Sequence, residues 1–187
     1  MILIVDLCYR EDSLSKTEFV GPIAKIVEDC GVPYTVVHHS RLDRGAIESA
    51  ERVILCGTAL KDDEFAARPE AFRWIFACGR PVMGICAGME AIALAGGLPL
   101  VETAEIGMTP IQVTGHDPIF DGKDTFEAYS LHHLAVCVSP PFETLATSVA
   151  CVQAIRHSVL PLYGVMFHPE VRNEWVVTRF VELPYRA

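Results

Sequence analysis

One segment constrains the fold of this chain more than any other, because its pattern changes partway from that of a strand to that of a helix. Behind Pro81 comes a short apolar run, typical of a strand that is buried on both faces of a parallel sheet. Met89, Ile92 and Ala93 then recur at helical spacing, and Gly96 begins a glycine pair that ends the pattern. The segment therefore predicts a buried strand that turns directly into a helix.

The turn itself reads Gly-Ile-Cys-Ala-Gly, from Gly84 to Gly88. This is the spacing of a nucleophile elbow, with Cys86 in the place of serine. Both glycines fit such a turn, because the strand and helix backbones come close there and a Cβ would clash. Cys86 would lie at a helix N-terminus, which favours a thiolate, and the N–H of Ala87 would face an oxyanion. The alternative is a buried strand cysteine beside a glycine-rich turn.

A second candidate group stands near the C-terminus, where residues 163–167 alternate as in a strand that ends at His168. Pro169 favours an extended conformation for the residue before it. In an extended segment, residues two apart point to the same side, so Glu170 can orient the imidazole of His168. A base with its orienter is the part of a catalytic triad that still needs a nucleophile. The alternative is a strand-end histidine followed by a solvated glutamate.

Up to the elbow, the chain alternates short apolar runs with helical patterns, which is typical of a parallel sheet wrapped by helices. After residue 97, short strand-like runs continue to Phe167 and predict an antiparallel layer plus late strands of the main sheet. Residues 173–183 predict a final helix. The expected architecture is α/β, with an open, mostly parallel sheet, a small antiparallel layer and one domain over residues 1–187.

Charge, hydropathy and cysteine usage exclude several classes of partner. The net charge is −9 and no basic stretch is present, so we expect no nucleic acid partner. No apolar run is long enough to span a membrane and the chain does not open with a signal peptide, so we expect a cytoplasmic protein. The seven cysteines have no repeated spacing and no C-x-x-C pair, which predicts reduced thiols and no metal site.

Together, the cysteine elbow and the His-Pro-Glu segment resemble the class I glutamine amidotransferases, and within them the glutaminase part of GMP synthases. The resemblance extends to Ala104–Gly107, Pro118–Phe120 and Leu145–Ser148. It implies a flavodoxin-like fold and hydrolysis of glutamine to glutamate and ammonia by a Cys-His-Glu triad. In this sequence the triad would be Cys86, His168 and Glu170, and the resemblance implies no cofactor.

The resemblance also implies an oxyanion hole made by Ala87 and by the loop after the third strand, residues 55–59. The family usually has Ser-Gly-Gly-Pro in that loop. Gly57 matches here, while Thr58 and Ala59 replace the second glycine and the proline. A backbone donor needs no particular side chain, so the N–H of Thr58 can serve, although a β-branched residue is poorly suited to positive φ. The alternative is an ordinary strand-to-loop turn.

Gly88 and Glu90 are the substrate-binding positions that the resemblance implies on the elbow helix. The family usually has glutamine at position 90, against the bound substrate. Glu90 lies one helical turn after Cys86 and on the same face, where its charge opposes a thiolate. It could instead hold the α-ammonium of a substrate, or simply be a first-turn glutamate favoured by the helix dipole.

A histidine pair, His132 and His133, falls where the family has a loop that helps to hold the substrate amino acid. The related branch reads roughly Ser-His-x-Asp, whereas Leu131 and Leu134 stand here for the serine and the aspartate. Neighbouring residues on an extended chain point to opposite faces, so the pair does not predict a metal site.

The chain lacks a phosphate-binding glycine loop, so activation of an ammonia acceptor is expected on a separate synthetase subunit of the ATP-pyrophosphatase class. Two alternatives stay open. One is a cysteine hydrolase for another γ-glutamyl compound, without a synthetase. The other is a non-catalytic relative that binds a ligand or partner.

Overall fold

The computed structural model describes residues 1–184, and its strands form one sheet. The strands are β1 (Ile2–Asp6), β2 (Tyr34–His38), β3 (Arg52–Leu55), β4 (Val82–Ile85), β5 (Leu100–Val113), β6 (Thr125–Val136), β7 (Phe142–Thr147), β8 (Val152–His157) and β9 (Leu162–Val165). The α-helices are α1 (Gly21–Asp29), α2 (Arg44–Ser49), α3 (Ala87–Ala95) and α4 (Trp175–Glu182). Shorter helical segments are a π-turn at Lys16–Val20 and 3₁₀ segments at His39–Arg41, Glu64–Ala67, Pro69–Phe76 and Pro118–Phe120.

The sheet order is β2-β1-β3-β4-β9-β8-β7-β5-β6. The strands from β2 to β9 in this order pair in parallel, and those from β9 to β6 pair in antiparallel fashion. The predicted α/β class and the parallel sheet wrapped by helices are therefore confirmed. The antiparallel strands are more extensive than a small layer, and they continue the main sheet by pairing β8 with β9.

Burial explains why the first half of the chain forms these elements. Every residue of β1 is buried, which is what a continuous apolar run in the middle of a parallel sheet requires. Pro22 lies in the first turn of α1, where its missing N–H costs no hydrogen bond. The Pro69–Phe76 segment has 3₁₀ geometry and buries Phe72 and Ile75. Within residues 1–184, no helix is both long and apolar enough to cross a membrane.

The order of the parallel strands decides where a site can form. Strand β1 lies between β2 and β3, so the chain reverses its direction across the sheet after β2. In open sheets of this kind, ligands bind beyond the carboxyl ends of the strands near such a reversal. The segments that leave β3, β4 and β9 at that edge begin with Cys56, Cys86 and Met166. The predicted elbow and the predicted base therefore leave adjacent strands, β4 and β9.

Candidate active site

Cys86 occupies a strained turn between β4 and α3. Its φ of 48° and ψ of −107° lie in a region that non-glycine residues rarely adopt. The strain is held from both sides, because the Cys86 N–H donates to the Val165 carbonyl at 2.8 Å and the Glu90 N–H donates to the Cys86 carbonyl at 3.1 Å. The side chain therefore has a fixed place at the start of the helix.

The two glycines of the elbow lie where backbones meet. A Cβ added to Gly84 would stand 2.3 Å from the carbonyl carbon and oxygen of Gly88. A Cβ on Gly88 would stand 2.3 Å from the carbonyl oxygen of Leu55, at the end of β3. Real Cβ atoms do not come this close to backbone, so both positions need glycine for α3 to pack against β3 and β4. Gly88 thus holds the helix against the sheet.

His168 and Glu170 form a buried pair after β9. The Nδ1 of His168 lies 2.7 Å from Oε1 of Glu170, and each side chain is 1% exposed. A carboxylate at this distance keeps the proton on Nδ1, so the lone pair of a neutral ring lies on Nε2. Among the described residues, Nε2 has no hydrogen-bond partner. The ring is therefore oriented as a base should be, with its accepting nitrogen free.

Gly57 brings the histidine and the cysteine together. A Cβ on Gly57 would stand 2.8 Å from Cε1 of His168 and 3.5 Å from the Cβ of Cys86, so both side chains border this residue. Burial disfavours a charged imidazole, yet the Cys86 thiolate and the Glu170 carboxylate raise the pKa of His168 well above its ordinary value. The surroundings of His168 therefore favour the charged form of its imidazole.

The loop after β3 supplies the other wall of the predicted oxyanion hole. Thr58 is buried, and its hydroxyl donates to Oδ2 of Asp62 at 2.6 Å. Among the described non-glycine residues, those with positive φ are Asp12, Cys86, Asp121 and Asn173. Thr58 therefore adopts this loop without the strain that a left-handed conformation would impose. Ala87 begins α3, so its N–H belongs to the first turn, where a helix leaves donors without an intrahelical partner.

The cavity beside Cys86 is small. Its walls come from the loop after β3, from the start of α3 and from β6, and its volume is about 20 Å³. On the β6 side, Sγ of Cys86 lies 3.6 Å from the Leu131 carbonyl oxygen, to which the thiol can donate. A volume of this size holds about one water molecule, so the cavity is too small for glutamine as it stands. A larger cavity of about 620 Å³ lies between α2 and the Pro69–Phe76 segment, and none of its lining residues belongs to this site.

Glu90 lines the small cavity from α3 and is 5% exposed. Burial, followed by the nearby Asp63, raises its pKa from 4.5 to about 7, although His168 lowers it. Near neutral pH the side chain is therefore divided between its neutral and charged forms. A neutral carboxylic acid resembles the side-chain amide that the family usually has at this position.

The two neighbouring histidines of β6 have different surroundings. His133 lies on the cavity wall, half-exposed, with Nε2 3.8 Å from Oδ2 of Asp63. The ring of His132 is buried, and its Nδ1 lies 2.9 Å from the Leu134 carbonyl oxygen. On its other side, Nε2 of His132 lies 3.5 Å from Oε2 of Glu105. The ring of His132 thus contacts polar groups of both β5 and β6 and does not depend on the cavity for partners.

The chain is similar to proteins of one family over most of its length. The model of the glutamine amidotransferase class-I family matches residues 15–181. The chain belongs to this family. It is 30% identical over 178 residues to one subunit of the GMP synthase (glutamine-hydrolyzing) of Methanopyrus kandleri, covering 92% of this chain and 90% of that relative. It is 33% identical over 161 residues to a GMP synthase (glutamine-hydrolyzing) of Pyrobaculum aerophilum, covering 83% of this chain but 31% of that longer relative.

Solved structures share the amidotransferase fold. A Thermoplasma acidophilum protein, provisionally assigned as one subunit of a GMP synthase, superposes with a TM-score of 0.85. The match covers 96% of this chain and 91% of that chain at 24% identity. This likeness supports the architecture, including the antiparallel extension of the sheet.

Several neighbours of the site carry no pattern in the sequence that would reveal them. Asp62 and Asp63 border Thr58 and Glu90, yet they belong to an acidic stretch that looks like an ordinary solvated loop. The Leu131 carbonyl is a backbone group, which no side-chain motif can predict. The ring of Phe19 lies 5.4 Å from that of His168, although Phe19 fits the apolar pattern of a helix.

Proposed function

We propose that this chain is a glutaminase that hydrolyses L-glutamine to glutamate and ammonia, with Cys86 as its nucleophile. The observation that carries the proposal is the buried His168–Glu170 pair, 2.7 Å apart, next to a cysteine in a strained elbow. The histidine keeps Nε2 free of other partners, and Cys86 is close enough to raise its pKa. Membership of the amidotransferase family supports the same chemistry.

In the first half of the reaction, the thiolate of Cys86 attacks the side-chain amide carbon of glutamine. The N–H groups of Ala87 and Thr58 stabilise the oxyanion that forms on the amide oxygen. His168 gives a proton to the nitrogen, and ammonia leaves as the carbon–nitrogen bond breaks. The product of this half is a glutamyl thioester on Cys86.

In the second half, His168 removes a proton from a water molecule that attacks the thioester carbon. The carbon–sulfur bond breaks, glutamate is released, and the thiolate of Cys86 is restored. Glu170 stabilises the imidazolium through Nδ1 in both halves and keeps the ring in one tautomer. Because the pair is buried, these interactions are stronger than they would be in water.

The acceptor of the ammonia is proposed to lie on a separate synthetase subunit, as in a two-chain GMP synthase. The Methanopyrus kandleri relative is named as one subunit of such an enzyme and is matched over 90% of its length, which supports this arrangement. The small size of the cavity supports it too, because about 20 Å³ is far below the several hundred Å³ of ordinary ligand pockets. We therefore expect slow hydrolysis by the isolated chain and faster hydrolysis with its synthetase.

Access for glutamine requires the wall between the β3 loop and β6 to move. Across this wall, Oδ2 of Asp63 lies 3.8 Å from Nε2 of His133, and both side chains are about half exposed. Exposed pairs contribute only about 0 to 1 kcal/mol, so a docking partner can readily displace this one.

A second candidate function is hydrolysis of another γ-glutamyl compound. Glu90 favours it, because a half-ionised carboxyl group in the cavity can hold an ammonium or amine group of such a substrate. In that case Glu90 assists binding, and a synthetase is not needed.

Glutamate release from glutamine tests the proposal, measured for the full chain alone and with an ATP-pyrophosphatase subunit of a two-chain GMP synthase. We expect turnover that the synthetase increases, and labelling of Cys86 by an electrophilic glutamine analogue. Cys86→Ala should abolish both, whereas Cys137→Ala, at a half-buried thiol outside the site, should leave both unchanged. Labelling of another cysteine, or equal turnover in Cys86→Ala, would overturn the assignment.

A further inference from the structure

Three potential metal ligands of different chemistry meet at a point that the proposed hydrolysis does not use. Glu105 on β5 and His132 on β6 are register partners, and Cys151 directly precedes β8. One ligand atom from each lies within 4.8 Å of the other two. The sequence predicts no metal site here. Its nearest metal-like pattern is the adjacent pair His132 and His133, whose side chains point to opposite faces of an extended chain.

The distances in this cluster match those between ligands of one small cation. Oε2 of Glu105 lies 3.4 Å from Sγ of Cys151 and 3.5 Å from Nε2 of His132. Zinc binds such atoms at about 2.0 to 2.3 Å, so neighbouring corners of its tetrahedron lie about 3.3 to 3.8 Å apart. Two of the three pairs therefore already have the required spacing, and the third pair lies within 4.8 Å.

Gln153 supplies an independent sign of a missing ligand. Its side chain is fully buried, and Oε1 has no hydrogen-bond partner among the described residues. Its Nε2 lies 2.6 Å from Glu105 Oε2, 3.3 Å from Cys151 Sγ and 3.5 Å from His132 Nε2. The amide nitrogen thus faces all three potential ligand atoms. Rotating the amide by half a turn would turn the unpartnered oxygen toward them, where a cation could bind it.

The histidine has the tautomer that a metal requires. Nδ1 of His132 lies 2.9 Å from the Leu134 carbonyl oxygen and 3.2 Å from that of Thr103, so Nδ1 carries the proton. The lone pair of Nε2 then points into the cluster. Metal-binding histidines commonly donate their other nitrogen to a carbonyl in this way.

We propose that this chain binds Zn²⁺ through Glu105, His132 and Cys151, with the Gln153 oxygen as the fourth ligand. A set with one sulfur, one imidazole and one carboxylate favours zinc over magnesium or calcium, which prefer oxygen alone. The thiol of Cys151 loses its proton to solvent as the sulfur–zinc bond forms. The Ser148 hydroxyl, which donates to Glu105 Oε2 at 2.9 Å, remains as a neighbour of the bound carboxylate.

Zinc bound at this site would affect the surroundings of Cys86 and His168 through the backbone. His132 follows Leu131, whose carbonyl lies 3.6 Å from the Cys86 sulfur. The Gln153 carbonyl accepts the Met166 N–H at 2.8 Å, two residues before His168. Zinc bound across β5, β6 and β8 would therefore hold in place the strands that border both the nucleophile and the base. This inference does not depend on which substrate the triad hydrolyses.

The test is zinc binding by chelator-treated full chain, measured by titration calorimetry with metal analysis after dialysis. Because Cys86 and His168 could themselves bind zinc, the measurement uses the Cys86→Ala variant. We expect one zinc per chain, with affinity weakened at least about 100-fold by adding Cys151→Ser and unchanged by adding Cys137→Ser. Binding that is equal in the Cys151→Ser form, or absent from Cys86→Ala, would overturn the proposal.

A second measurement needs no substitution of a proposed ligand, so it does not depend on the folding of a ligand variant. Thiol alkylation of the Cys86→Ala chain, mapped by mass spectrometry with and without Zn²⁺, should show protection of Cys151 by the metal. Cys137 and Cys30 serve as internal controls whose labelling should not change. Unchanged labelling of Cys151 at saturating Zn²⁺ would rule out its sulfur as a ligand.

Discussion

Replacing Glu90 by glutamine should stabilise the fold in a pH-dependent manner. Burial, followed by Asp63, raises the pKa of Glu90 from 4.5 to about 7, although His168 lowers it. A carboxyl group with a raised folded-state pKa supports the fold below pH 4.5 and loses that support as the pH rises through about 7. Glutamine keeps the shape without the charge, so the two proteins should differ little in acid and most above about pH 8.

The magnitude follows from the size of the shift. At about 1.4 kcal/mol per pKa unit, the rise from 4.5 to about 7 corresponds to about 3 kcal/mol when Glu90 is fully ionised. Because the side chain is 5% exposed, solvent screens little of this amount. We expect Glu90→Gln to raise the free energy of unfolding by about 3 kcal/mol at pH 8 and by less than about 1 kcal/mol at pH 5.

Urea unfolding at both pH values measures this difference. The control is Glu70→Gln, which makes the same charge change at an exposed position of the Pro69–Phe76 segment and should have almost no effect. A gain from Glu90→Gln that is the same at pH 5 and pH 8 would refute the reasoning, because it would not come from ionisation.

The same substitution separates the two candidate functions. If the Glu90 charge opposes the Cys86 thiolate, the ratio of glutamine turnover in Glu90→Gln to that in the parent should rise from pH 6 to pH 8. If Glu90 holds the substrate instead, turnover should fall at every pH, with most of the loss in KM.

Two further predictions concern the triad and the elbow. His168→Ala should lower kcat for glutamate release at least about 10⁴-fold, and Glu170→Gln less, because removing a base costs more than removing its orienter; near-normal kcat in His168→Ala would make that segment structural. Gly88→Ala should destabilise the fold by about 3 kcal/mol in urea unfolding, since its Cβ would stand 2.3 Å from the Leu55 carbonyl oxygen. Its control, Gly45→Ala in α2, meets only a side-chain oxygen at 3.4 Å and should stabilise by up to about 1 kcal/mol, so equal effects would contradict the close approach.

The sequence predicts the parts of this protein that depend on neighbouring residues. The glycine spacing around Cys86 predicts a close approach of strand and helix backbones, and the structure has this close approach at Gly84 and Gly88. The two-residue spacing of His168 and Glu170 similarly reports one side of an extended segment. Both patterns lie within a few residues, so local geometry decides them.

The sequence cannot predict features built from distant strands. The cluster of Glu105, His132, Cys151 and Gln153 joins three strands, and no short pattern connects its members. The small volume of the cavity beside Cys86 also depends on residues distant in sequence, because the loop after β3 and strand β6 both form its walls. The ionisation of Glu90 depends on that enclosure, so the sequence shows the charge but not how far burial neutralises it.

The position of β4 beside β9 has a consequence for the order of events during synthesis. Cys86 emerges from the ribosome with β4, whereas His168 follows only after β5 to β9, so one edge of β4 stays unpaired until then. Pairing between such distant segments is slow compared with local folding. A nascent or prematurely ended chain thus carries the cysteine without the histidine beside it, so the two come together only after β9 has been made and has paired with β4.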